Sequence, residues 1–464
     1  MILLARFFSV ADIFLFPACF FLLFFIIRAR ANRNTDTRIR SLYFRAFYFK
    51  TICVLLFVTV TEIYFKGGDT GLYYQATKDL RAAISDNPDN FWIVWDSKKL
   101  TSDSPLFPFF YYDNYADDLT YGYMFSSNNF FPPKVALLPS FLFGNSYLCI
   151  SMCFGFFALI GAIRLFKTFY YFYPHLFKEL ALACLFLPGV VFWSSGLLKD
   201  PISFGCIGII LYAFINIFFK KKNYFSSVLW ILLCCYFLFN IKIYILLVLL
   251  LSILIWQFAE FNKLIKDRTL RAVFTIMTFS AGAVVGFFLL DYITSLEAAQ
   301  QYKLDSLLES VQKERKVYEN INQVLQGDSH FKINDSNPVF LFFGSIVATF
   351  FRPFVWEVNT PIALFSAFES AIFLLVTIFF MFKKGVKQFF SVSFSDGRIL
   401  MCFVFAFVFA FAVGSSTANF GALSRYKIPC TPFYLILLIL LFNKTKLALP
   451  KWFNKVINFA VPVK

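Results

Sequence analysis

Residues 49–65 read FKTICVLLFVTVTEIYF, and residues 66–74 that follow read KGGDTGLYY. The first run is apolar over close to the roughly 20 residues that a helix needs to cross a hydrocarbon core. The second run leaves it with a carboxylate, Asp69, three glycines and two tyrosines, which belong at a lipid–water boundary. Runs of the same kind recur along the chain. Apolar residues make up 59% of it, charged residues only 15%, and mean hydropathy is +0.69. A soluble domain holds about 45–50% apolar and about 25% charged residues. The expected fold is therefore all-α: a single integral-membrane domain over residues 1–464, a polytopic transmembrane helical bundle.

The charge supports that reading. A net charge of +16 could mean nucleic acid, but the basic residues form no single patch. They fall in short clusters between apolar runs, as the positive-inside rule describes. Arg28, Arg30, Arg33, Arg38, Arg40 and Arg45 follow a span at 7–27 and place that loop in the cytoplasm. The span at 49–65 then returns outward. Residues 66–133 form the first large external loop, acidic and aromatic, with short interfacial helices expected. Further spans are expected at 146–163, 180–192, 202–219, 225–239, 244–258, 272–290, 362–382, 399–413 and 431–442. That gives about eleven crossings, with the N-terminus outside and the C-terminus inside. A second external segment, 292–361, holds an amphipathic helix at 294–326 and a brief apolar stretch at 338–351. At 14 residues the latter is too short to span and reads as re-entrant or interfacial. Met1 to Arg6 leads straight into the first span, so that span reads as retained. The ten cysteines lie mostly inside apolar runs, without a CxxC pair, and His175 and His330 are far apart. Buried thiols are expected, not a zinc site or a disulfide framework.

Ionisable residues near membrane depth default to functional hypotheses. Most here map to the outer ends of spans. Asp69 can act as a general base toward an acceptor hydroxyl, or hold a divalent cation that bridges a phosphate. Gly67, Gly68 and Gly71 allow a tight turn beside it. Glu62 precedes it by about two turns and is the second catalytic candidate. The stretch WSSGLLKDP, residues 193–201, offers hydroxyls from Ser194 and Ser195 and a phosphate-binding cation in Lys199. Its Asp200 before Pro201 also makes a good helix start. FRPFVWE, residues 351–357, offers Arg352 for phosphate, Trp356 as a face for a sugar or prenyl chain, and Glu357, which can equally pair with Arg352. SRYKIP, residues 424–429, adds Arg425 and Lys427. Together these suit a lipid-linked phosphosugar donor, provided the acids and bases meet in one outward-facing chamber. For a transporter, Asp12 and Glu369 would matter instead.

In its many spans, its interfacial helices and an acid in the first large external loop, Asp69, the chain resembles integral-membrane glycosyltransferases of the C superfamily. WSSGLLKDP, FRPFVWE and SRYKIP are similar to motifs of bacterial inner-membrane proteins tied to surface polysaccharide. The resemblance implies a multi-pass protein of the bacterial inner membrane. It would move a sugar from a polyprenyl-phosphate donor to a glycan or lipid acceptor on the external, periplasmic side. O-antigen polymerases share the span count and external arginines, so a polymerase or ligase is the alternative, with a flippase or transporter of lipid-linked glycans as a third. The implied partners are the bilayer, the polyprenyl-phosphate-linked sugar and its acceptor, with no nucleic acid.

Overall fold

A computed structural model describes residues 7–111, 119–265, 337–358 and 360–462, with isolated positions 267, 269, 270, 273, 331 and 333. Among these, the chain is helical throughout and forms no strand. The helices are α1 (Asp12–Asn32), α2 (Thr37–Ile63), α3 (Gly68–Asp86), α4 (Asn90–Asp96), α5 (Phe107–Tyr111), α6 (Leu119–Met124), α7 (Ser127–Leu142) and α8 (Tyr147–Phe172). Next come α9 (Phe177–Ala181), α10 (Pro188–Trp193), α11 (Lys199–Phe218), α12 (Tyr224–Ile241) and α13 (Ile243–Asn262). Then follow α14 (Pro338–Phe351), α15 (Pro361–Lys384), α16 (Val386–Ser393), α17 (Gly397–Ser416), α18 (Phe420–Tyr426), α19 (Thr431–Lys444) and α20 (Lys451–Ala460). Among the described residues, nine helical segments are long and apolar enough to cross a membrane. The pair α18 and α19, bent by 65°, makes a tenth if it counts as one span. The chain is thus a multi-pass membrane protein. The expected span at 272–290 and the expected amphipathic helix at 294–326 lie outside the described residues.

Helix starts follow the sequence. Asp36, Ser146, Asn337, Thr360, Asp396 and Asn419 each cap a helix by accepting a backbone N–H with the side chain. α1 ends at Asn32 and α8 at Phe172, beyond the expected 27 and 163, and two further spans differ from the hydropathy reading. The helix expected at 49–65 begins at Thr37 and runs for 27 residues. At 1.5 Å per residue that is roughly 40 Å, longer than the hydrocarbon core, so its first turns can carry Arg38, Arg40 and Arg45 near water. Lys50 consequently falls at mid-helix. The span expected at 180–192 is instead a chain of turns over Pro174–Trp193, with a π-helical turn at Leu182–Phe186 just before Pro188. Proline lacks the N–H that would continue the regular ladder, and the wide turn absorbs the break.

The described chain forms two compact units. Unit 1 takes in α1 to α8 and α10 to α12; unit 2 takes in α13 to α20 and the segment Lys178–Ala183. In unit 1, α8 and α11 pack at backbone contact through glycines. A Cβ placed on Gly161 would lie 2.4 Å from the Gly205 backbone, and one on Gly208 would lie 2.0 Å from the Gly161 carbonyl oxygen. Small residues at such a crossing are the usual means of close helix packing in lipid, where no hydrophobic force drives helices together. In unit 2 the same device joins α14 to α17: Gly414 faces the Ser345 backbone, and Thr349 donates to the Ala410 carbonyl at 2.8 Å. Gly161→Ala should therefore force α8 and α11 apart at a cost of about 3 kcal/mol, read as a lowered midpoint in thermal unfolding of the detergent-solubilised protein. Gly122→Ala, where no atom lies within 4 Å, should leave the midpoint unchanged.

Candidate functional site

Asp69 sits in the first turn of α3, half-buried. The turn that delivers it from α2 requires its glycines: Gly67 has φ 110° and Gly68 φ 55°, conformations that side chains disfavour. The Phe7 ring lies against both Gly67 and Gly71: a Cβ on Gly71 would come within 3.3 Å of it, and one on Gly67 would meet it at an ordinary 3.7 Å. Phe7 in turn stacks on Tyr147, with ring centroids 4.4 Å apart. The Tyr147 hydroxyl meets Thr70 at 2.8 Å and lies within electrostatic reach of Glu62. Glu62 sits in the last turn of α2.

Tyr73 follows Asp69 by four residues, so the two lie on one face of α3. The Tyr73 hydroxyl donates to Asn129 Oδ1 at 3.3 Å and touches the Tyr123 hydroxyl at 3.3 Å. The same Asn129 oxygen accepts from Lys199 Nζ at 2.5 Å. Lys199 opens α11, and its side chain reaches α7 and α3 through this one amide. Asp200, only 1% exposed, accepts from Lys242 Nζ at 2.8 Å in an ion pair at the ends of α11 and α12. Further along α7, Lys134 lies over the Phe130 ring and donates to the Ser97 carbonyl. Burial pushes its ammonium down to about 8, an effect that Asp96 only partly offsets.

The two serines of WSSGLLKDP are not available to a ligand. Ser194 and Ser195 are buried, and their hydroxyls donate back to α10 carbonyls, at 2.6 Å to Val190 and 2.5 Å to Val191. Ser194 also receives Lys50. That ammonium, 4% exposed at the middle of α2, donates to the Val191 carbonyl at 3.0 Å, the Ser194 carbonyl at 2.7 Å and Ser194 Oγ at 2.7 Å. A cavity of about 10 Å³, room for one water at most, lies against it. Lys50 is not among the sequence candidates: it stands second in the 49–65 run, at its edge. Nor is Asn129, whose neutral amide gives no charge signal.

The remaining candidates belong to unit 2. Arg352 grips Glu357 through Nε at 3.0 Å and Nη2 at 2.5 Å, and its guanidinium lies over the Phe331 and Phe420 rings. Glu357 also accepts from the Phe354 N–H at 2.9 Å. Trp356 is 81% exposed and stacks on Phe354. Lys427, in the bend between α18 and α19, is buried and donates to Ser370 Oγ at 2.9 Å. Ser370 in turn donates to the Arg352 carbonyl at 3.1 Å, which links these two cations through one hydroxyl. Arg425 lies over the Tyr426 ring. Asp12 holds the start of α1, accepting from the Ser9 N–H at 2.8 Å and from Ser146, the cap of α8. Among the described residues, no group of three or more His, Cys, Asp or Glu side chains is placed to hold a metal ion. No known family, curated protein or solved structure matches the chain.

The Asp200–Lys242 pair sets up a direct test. Removing one member of a buried pair leaves the other charge in low dielectric and costs about 3–5 kcal/mol. Lys242→Met should therefore lower the unfolding midpoint markedly, and the double variant Asp200→Asn, Lys242→Met should recover most of the loss. Equal midpoints for the single and double variants would show that the two charges are not coupled.

Proposed function

We propose that the protein is a membrane glycosyltransferase, moving a sugar from a polyprenyl-phosphate donor to a glycan or lipid acceptor at the Asp69 end of unit 1. In this reading that end faces the periplasm, the membrane is the bacterial inner membrane, and the N-terminus lies outside. The observation that supports it is the Lys199–Asn129–Tyr73 link. It ties an ammonium at the start of α11 to the α3 face that also carries Asp69. A cation and a carboxylate from distant parts of the sequence are thereby held at one end of one unit.

The chemistry assigned to each follows. Asp69 accepts the proton of the acceptor hydroxyl, whose oxygen attacks the anomeric carbon. The bond from that carbon to the phosphate oxygen breaks, and polyprenyl phosphate leaves with the electron pair. Lys199 offsets the charge that the leaving phosphate gathers. Glu62, in the last turn of α2 just before the turn that delivers Asp69, is the second acid at this end. The polymerase alternative assigns phosphate to Arg352 and Arg425. It draws less support, because the planar fork of Arg352 already grips Glu357.

Asp69→Asn should lower sugar transfer by about 100-fold or more, assayed with a labelled polyprenyl-phosphate sugar in reconstituted vesicles, while the protein accumulates normally. Lys199→Met should lower kcat more than it raises the KM for the donor, because the charge it offsets grows as the phosphate leaves. Undiminished transfer by Asp69→Asn would remove Asp69 from the mechanism.

A further inference from the structure

The other end of unit 1, roughly 40 Å away along α2, carries a pocket that the transferase reading does not use. It has a volume of about 270 Å³. Four cations line it: Arg30 and Arg33 at the end of α1, and Arg164 and Lys167 on α8. Each helix presents its pair at i and i+3, on one face. No carboxylate is among the lining residues. The nearby loop acid, Asp36, is engaged by Arg38 at 3.0 Å.

These cations differ from a loop cluster that merely faces water. Asn34 anchors the site by donating from Nδ2 to the Arg30 and Ala31 carbonyls, at 2.9 and 3.1 Å. That fixes its Oδ1, which accepts from Lys167 Nζ at 3.1 Å. Lys167 also lies over the Tyr43 ring at 5.1 Å, and Arg164 over the Trp230 ring at 5.1 Å. Both α8 cations are thus held half-buried in set positions. The inner wall is Ile27, Ile160 and Ile163. Like charges gathered in a partly desolvated pocket repel one another, and a bound anion relieves that repulsion.

We propose that this pocket binds a phosphate group of net negative charge. Its size fits a headgroup, just below the range of about 300–1,000 Å³ for drug-sized ligands. Basic pockets between membrane helices recognise anionic headgroups by this chemistry. The phosphate can come from an anionic membrane lipid, whose chains would follow the isoleucine wall, or from a soluble phosphate.

The test uses the full chain in nanodiscs of equal phosphatidylglycerol and phosphatidylcholine. Lipids retained after release are counted by native mass spectrometry, and thermal midpoints are read with and without inorganic phosphate. The variants are Arg30→Gln with Arg33→Gln, both at exposed positions, and separately Lys167→Gln. If a lipid is the source, the wild type retains phosphatidylglycerol preferentially, and the double variant loses about 30-fold of that preference. If a soluble phosphate is the source, no lipid is preferred, but inorganic phosphate raises the wild-type midpoint and not that of the variants. A lipid preference and phosphate response that are both absent, or both unchanged in the variants, would overturn the proposal.

Discussion

The ammonium of Lys50 sets the local structure of unit 1. A lysine at the middle of a membrane helix is tolerated only if its charge and its protons are met within the protein. Lys50 has three N–H donors, and the Val191 carbonyl, the Ser194 carbonyl and Ser194 Oγ accept them. The two carbonyls belong to the last turn of α10 and its cap, where the ladder ends and oxygens are left over. A buried cation and a buried helix end therefore satisfy each other. The cation would not be stable alone at that depth.

That one contact has consequences further along the chain. Two turns after Lys50, Phe57 occupies the space beside Gly196 so closely that a Cβ there would come within 1.9 Å of its ring. Lys50 and Phe57 together hold the segment from Val191 to Gly196 against α2. Leu197 and Leu198 then bury themselves, and α11 starts at Lys199. The side chain of Lys199 reaches Asn129, and through it Tyr73 on the helix that carries Asp69. The candidate site is thus fixed from below by a polar contact that plays no part in the chemistry proposed for it.

Most spans were legible because hydropathy over some twenty residues is a strong signal. The start of α2 was not, since Arg38, Arg40 and Arg45 read as loop while the helix continues past the bilayer to carry them. The partners of charged residues divide by distance. Arg352 and Glu357 are close enough in sequence for the pair to be foreseen beside the phosphate reading. Lys242 and Asp200 are 42 residues apart, and Lys50 and Ser194 are 144 apart, so no local pattern announces either contact. The WSSGLLKDP stretch shows the same limit. Its polar residues looked like a ligand-binding turn, yet Ser194 and Ser195 serve the end of α10, and only Lys199 reaches the candidate site.

Lys50 fixes the turn leading into α11. Hydrogen–deuterium exchange of the full chain in nanodiscs, wild type against Lys50→Met, tests it most directly. Exchange across residues 194–200 should be faster in the variant, with the body of α11 still protected by its glycine contact with α8. Unchanged exchange across that turn would contradict it.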